Sequence, residues 1–259
     1  MSGTVKAVIA GIVILVIGTI IFVITLACNG WSFKGAKYEM QKYVSANGVN
    51  CLDLEIGAGA LKFEYSDIEN IEIDYPESSQ FNVSVGENAG KLSFSFKKKW
   101  YASFLSWYSP EIIIRLPSVA VYDLNLDMNA GTVYLGSGNF GDVSLDIDAG
   151  TVKIMTANCE SLRMEMNAGT FRAEEIICPV IDVDMSAGTM TAAKVTADRT
   201  KVNLDAGTLK LGFTGDRAEY GISSKISAGS CNVSSQTGST TKTIDVDLSA
   251  GTAKFEFNV

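Results

Sequence analysis

The chain of 259 residues contains no histidine. That absence removes Ser-His-Asp and Cys-His nucleophilic sites, imidazole acid–base catalysis and histidine metal centres together. Cysteine is sparse, with five in all and none in C-x-x-C spacing, so no thiolate metal cluster is written into the chain. There is no Walker loop and no dinucleotide fingerprint. "GSGNFG" from Gly136 has the glycines of a phosphate loop, but it lies in a turn between strands and opens no helix, which makes it turn chemistry. Basic charge is also short. The 21 Lys and Arg face 29 Asp and Glu, and four of the former and one of the latter lie in the first 48 residues, so residues 49–259 carry a net charge of −11. Such a domain is not drawn to nucleic acid or anionic lipid by its overall charge. No catalytic residue, cofactor or metal ligand set is expected.

What the chain does contain is one phrase, repeated. "IDAGTVKI" at 147–154 returns as "MNAGTVYL", "MNAGTFRA", "MSAGTMTA" and "LDAGTLKL", with glycines at Gly131, Gly150, Gly169, Gly188 and Gly207, and then at Gly229 and Gly251. The spacing is 19 residues and then 22, a period that signals stacked repeats. Aligned on the glycine, the columns two and four residues after it are apolar (Val133, Val152, Phe171; Leu135, Ile154, Ala173), and the column between them is polar (Tyr134, Lys153, Arg172). Before the glycine, the columns at minus three and minus five are apolar as well, Ser224 excepted. This alternation is that of strands with one face in a core. Each repeat therefore reads as two short strands joined by a corner, where glycine supplies positive φ and the preceding alanine fits a bend with room for a methyl.

The first half carries the phrase less regularly. "LDLEIGAGALKFEY" from Leu52 fits every apolar column about Gly59, and "GENAGKLSFSF" has an Ala-Gly corner at Gly90. The expected architecture is all-β: a right-handed β-solenoid of about 19–22-residue coils over residues 49–259, with an irregular cap region at 49–120 and regular repeats at 121–259. Its structural corners are Gly59, Gly131, Gly150, Gly169, Gly188, Gly207, Gly229 and Gly251.

No residue from Ala7 to Phe33 is charged. About 20 apolar helical residues cross a bilayer, so the chain divides into a short cytoplasmic tail at 1–4, a transmembrane helix at 5–27 and a juxtamembrane stalk at 28–48. The apolar run is too long for a signal peptide and no A-x-A site follows it. Cys28 fits a lipoprotein box poorly, since Thr25 and Leu26 precede it, and reads as the end of the helix. Lys34, Lys37 and Lys42 outnumber Lys6, which leans toward a cytoplasmic carboxyl domain, but long domains translocate largely regardless of flanking charge.

Two candidate contact surfaces emerge. The column four residues before glycine holds Asp127, Asp146, Glu165 and Asp184, followed by Asn203, Lys225 and Asp247. It reads as a solvated face balanced by Lys153, Arg172, Lys210 and Lys254. The alternative is a calcium site, or a polysaccharide lyase site using Arg163. The other surface, "KKKWYASFLSWYSPE", sets Trp100, Tyr101, Trp107 and Tyr108 beside lysines, as an apolar plug at one end of the stack or as an aromatic patch. Cys159 and Cys178 each stand nine residues after a glycine and so stack in adjacent coils, either as buried thiols or as a cross-coil disulfide.

The charge-free anchor followed by "GWSF", "LDLEIGAGALKFE", "PEIIIRLP" and the Ala-Gly-Thr repeats together resemble the bacterial "putative-adhesin" domain family of unknown function, a relative of the head GIN adhesin domains. The resemblance covers nearly the whole chain and implies a single-pass membrane protein of the cell surface with an extracytoplasmic β-solenoid. Its implied function is non-enzymatic: an adhesin or envelope-binding module with a cell-wall polymer or envelope protein as partner, or an envelope-stress sensing component. The family brings no catalytic residues.

Overall fold

The computed structural model describes residues 21, 23, 24, 27, 38–46, 48–99, 110–238 and 241–259. The expected span at 5–27 falls outside these, except that Ile21, Val23, Ile24 and Ala27 are helical and exposed. No helix among the described residues is long and apolar enough to cross a membrane. Cys28 and the Trp100–Tyr108 segment also lie outside the described residues.

The fold is all-β. Its strands are β1 (Glu39–Val44), β2 (Cys51–Ile56), β3 (Gly59–Ser66), β4 (Glu72–Glu77), β5 (Phe81–Asn88), β6 (Lys91–Lys98), β7 (Glu111–Pro117), β8 (Tyr122–Asn158), β9 (Ser161–Ile177), β10 (Val180–Thr196), β11 (Arg199–Phe213), β12 (Gly221–Cys231) and β13 (Thr243–Phe257). From β8 onward each strand pairs in parallel with the next coil and the repeat columns stay in register. Ala149–Gly150–Thr151 lies beside Ala168–Gly169–Thr170, which in turn lies beside Ala187–Gly188–Thr189. The Gly59 phrase joins the same stack, with β2 beside Cys51's partner Asp123 and onward, and Gly59 opposite Gly131.

Each coil has three runs rather than two. In the second coil Val143, Leu145 and Ile147 point inward, then Val152 and Ile154, then Ala157 and Cys159, all buried. The inward phase resets at the Ala-Gly corner and again at Met155, whose side chain is exposed and whose position is skipped in the register with β9. The second reset was hidden in the sequence because the columns beyond plus four mix Ala, Ile and Val with polar residues.

The corner glycine is imposed by close approach. A Cβ built on Gly188 lies 3.0 Å from both the backbone N and C of Gly169 and closer still to its carbonyl oxygen, and every corner from Gly131 to Gly251 repeats this. Positive φ is added at Gly59, Gly131, Gly169, Gly188, Gly207, Gly229 and Gly251. Gly150 corrects the expectation: its φ falls outside that range, so only the neighbouring carbonyl excludes a side chain there. The preceding alanine is exposed at all seven corners from Gly131 to Gly251, so lack of room does not explain it. At the next position outward, short polar side chains bond from coil to coil, as Asn167 Nδ2 donates to Asp148 Oδ1 at 2.8 Å.

Both ends depart from simple stacking. At the first end, Gly90 (φ 81°) and Ala89 (φ 51°) make the tight turn of an antiparallel β5–β6 hairpin, not a coil corner. β1, β4 and β7 form an antiparallel flap, joined through Arg115, whose guanidinium lies 2.6 Å from Asp74, 3.3 Å from Glu64 and 3.7 Å from Glu72. At the other end the last two coils exchange places. β13 inserts between β11 and β12, so Gly251 lies between Gly207 and Gly229. The pairing with β12 ends at Ala253, so the outer edge of "KFEFNV" at 254–259 lies beyond it, where the Asn232 side chain occupies both the N–H and the C=O of Phe255 at 2.7 Å. The outermost strand is β12, the coil with Ser224 in an apolar column. A coil with a poor inward face loses least by being covered on one side only.

Candidate binding surface

The minus-four column lies on the outward side of the first run of every coil, because Val143, Leu145 and Ile147 take the inward side. Strand register places Asp146 beside Glu165, Glu165 beside Asp184 and Asp184 beside Asn203. After the exchange of the last coils, Asn203 is followed by Asp247 and then Lys225. The row also starts one coil earlier than expected, with Glu55 beside Asp127. The signal for Glu55 was present, since it stands four before Gly59.

Beyond Glu55 the row meets β6, which supplies hydroxyls and cations. Ser95 Oγ donates to Glu55 Oε2 at 2.9 Å, Lys97 forms an ion pair with Glu55, and Lys91 Nζ lies 2.7 Å from Asp53. These contacts hold the Glu55 carboxyl below its usual value, the Lys97 hydrogen bond first and Ser95 second. β6 was invisible as part of the surface because its Ala-Gly corner pointed to a coil, whereas it pairs with β2 from the other side. The β5–β6 hairpin rises beside the row and leaves a groove of about 490 Å³, lined by Asp53, Glu55, Ser93, Ser95, Asp127 and Asp146 among others.

The charge balance differs from expectation. Lys210 and Lys254 pair with Glu256, at 3.6 and 2.8 Å, beyond the corner on the next run. On the acidic row itself Lys97 pairs with Glu55, and Arg163 lies 2.6 Å from Glu165. Among the described residues Asp127 and Asp146 have no cationic partner. Desolvation pushes the Asp146 carboxyl above its usual value, with Asp127, Glu165 and Asp148 adding repulsion. The groove thus carries two carboxylates without a cationic partner among the described residues, edged with serine hydroxyls and Asn125. Among the described residues no group of three or more His, Cys, Asp or Glu side chains is placed to hold a metal ion, so the calcium alternative gains no support from the geometry. Trp100, Tyr101, Trp107 and Tyr108 cannot be placed relative to the groove, as they lie outside the described residues.

A parallel stack with one corner phrase, capped by antiparallel hairpins, defines a class of all-β repeat domain. The family model described as Toastrack DUF4097 matches residues 49–258, and the chain belongs to that family. Solved structures with a similar fold include a "putative adhesin" from Bacteroides fragilis, at 16% identity and a TM-score of 0.47, covering 85% of this chain and 97% of that one. A "putative cell adhesion protein" from Clostridium sporogenes aligns at 13% identity and a TM-score of 0.36, over 85% of this chain and 100% of the other. A "putative lipid binding protein" from Parabacteroides distasonis aligns at 11% identity and a TM-score of 0.34, over 84% and 96%. No curated protein matches the chain.

Proposed function

We propose that this protein is a non-enzymatic binding module of the bacterial envelope: a single span at 5–27 holds a right-handed β-solenoid outside the membrane, where the groove and the acidic row bind an extended polymer of the cell wall or a strand of an envelope protein. The observation that supports this most directly is the groove's composition. Hydroxyls, an amide and carboxylates at the regular spacing of stacked strands, about 4.8 Å, suit a hydroxyl-rich or cationic chain lying across the strands.

The test uses the full-length protein in detergent micelles, incubated with peptidoglycan fragments and with uronic-acid polymers, with and without calcium. Saturable binding, weakened at least tenfold in Asp127→Asn/Asp146→Asn and without new reducing ends or unsaturated products, supports the reading. Cleavage lost in Asp146→Ala would overturn it in favour of a lyase. Absence of polymer binding, together with co-purification of a membrane protein from envelope extracts, would move the function to envelope-stress sensing. Protease added to intact cells should degrade the repeats while a cytosolic marker survives; protection in wall-stripped cells would refute the orientation.

A further inference from the structure

Cys159 and Cys178 occupy one inward column, in the order Phe140, Cys159, Cys178 and Ala197, all buried. The column stands one residue past the strand ends at Asn158 and Ile177, and backbone bonds between the coils continue into it. Asn158 and Ile177 are register partners, Cys159 N donates to Ile177 O at 3.0 Å, and Cys178 N donates to Thr196 O at 2.9 Å. Adjacent in-register strands are about 4.8 Å apart, which falls inside the Cα separation of roughly 4.4–6.8 Å that a disulfide needs. Both sulfurs are thiols here, and Cys178 Sγ donates to Val180 O at 3.2 Å. The corner beside them is at the surface, as Glu160 is exposed.

We propose that Cys159 and Cys178 are a redox couple that closes into a disulfide across two adjacent coils, cross-linking the stack under oxidising conditions and releasing it under reducing ones. The oxidant is a disulfide, either small or on a protein. A Cys178 thiolate attacks one sulfur of the oxidant and displaces a thiolate. Cys159 loses its proton and attacks the Cys178 Sγ of the mixed disulfide, forming the Cys159–Cys178 bond and expelling the second thiolate. Two thiols are oxidised, one disulfide is reduced to two thiols, and the two protons pass to the leaving thiolates. Cys178 reacts first because a hydrogen bond from the Cys159 thiol holds it below its usual value, while the same contact and burial push Cys159 up. The device does not depend on the proposed ligand.

Full-length reduced protein in detergent is incubated with oxidised glutathione, quenched in acid, unfolded and alkylated, and labelling is quantified by peptide mass spectrometry. Labelling at Cys159 and Cys178 should fall at least tenfold together, return with dithiothreitol, and coincide with a linked peptide pair and a rise in Tm. Cys51→Ser/Cys231→Ser should behave the same, since those thiols lie in other columns. Unchanged labelling of both residues after oxidation would overturn the proposal. So would protection of Cys159 in Cys178→Ala, which would mean a different partner.

Discussion

Three glycines separate the two reasons for glycine in this fold, and alanine is the smallest probe of each. At Gly188 a new methyl meets both obstacles: a φ of 140°, and a Cβ 3.0 Å from the Gly169 backbone N and C with the carbonyl oxygen nearer still. At Gly150 the neighbouring Gly131 carbonyl also lies well inside contact distance, slightly farther off than at Gly188, but φ is not positive. At Gly48 φ is 88° with nothing within 4 Å of the built Cβ. Positive φ costs a non-glycine residue about 1–3 kcal/mol, and forcing a methyl into a packed space costs about 1–3 kcal/mol. Gly48→Ala should therefore lose about 1 kcal/mol, Gly150→Ala about 2–3, and Gly188→Ala about 3–5. The last is a large share of the roughly 5–15 kcal/mol that holds a domain folded. Gly86→Ala is the control, since its Cβ meets nothing within 4 Å and its φ is not positive; it should be neutral or gain up to about 1 kcal/mol. Denaturant midpoints at constant m-value give the order. Equal losses at Gly48 and Gly150, or a loss below about 1 kcal/mol at Gly188, would refute the stacked-carbonyl explanation.

Other substitutions test single contacts. Thr200 is buried between Ile181 and Ile244 in its column, and its Oγ1 has no hydrogen-bond partner among the described residues; Thr200→Val should raise stability by about 1 kcal/mol, read as a higher Tm. Arg115→Met should cost about 1–2 kcal/mol because Asp74 then loses its ion pair, while Glu64 and Glu72 keep Lys62 and Lys42, and a denaturant midpoint unchanged within error would count against the flap being held this way. Glu55 and Glu64 are held below the usual 4.5 by their lysines. A depressed folded pKa adds stability above the unfolded value that is lost as pH falls through the folded one, so stability should drop below about pH 4.5. Lys97→Met should flatten that drop in a pH series of denaturation midpoints. Asp146 runs the other way: its folded pKa is raised above 3.8, so Asp146→Asn should stabilise slightly at pH 7, by a few tenths of a kcal/mol for a mostly exposed group.

The repeated coil was legible in the sequence because its information is local. Val143, Leu145 and Ile147 alternate with Ser144 and Asp146, and a glycine ends the run, so columns, corner and acidic row can be read from spacing alone. The third run was less legible because Met155, an apolar residue, faces solvent there. The alanine before each corner was read as fitting a bend with room for a methyl, yet it is exposed at every corner from Gly131 to Gly251, because composition at one position does not say which side of a bend it takes. The groove was only half visible. Asp127 and Asp146 stand in the repeat column, but Ser93 and Ser95 arrive from a hairpin strand whose partner is β2, and nothing within β6 specifies that pairing.

The order of the last coils shows why such pairings are hard to read. In a parallel stack with one corner phrase, any coil can lie against any other in the same register, since Ala-Gly-Thr meets Ala-Gly-Ser as readily as Ala-Gly-Thr. Sequence order is then decided only by connection length and by which inward face gains most from cover. β11 to β12 crosses through the Arg217–Glu219 turn, where Asp216 caps the turn and Lys242 reaches Glu219 at 2.5 Å, and β12 to β13 returns through 232–242. Both connections are long enough to pass a coil. β13 offers Val246, Leu248 and Phe255 to the core, all buried, and Phe255 and Phe257 stack on Phe213 at 6.4 and 5.8 Å. β12 offers Ser224 in place of an apolar residue and leaves Ile226 36% exposed. Burial worth about 25 cal/mol per Å² favours enclosing the first and ending on the second. Lys225 then falls on the terminal strand, where a charge discourages a further chain from pairing. The two departures from the repeat columns, Ser224 and Lys225, thus mark the end of the stack rather than an interruption within it.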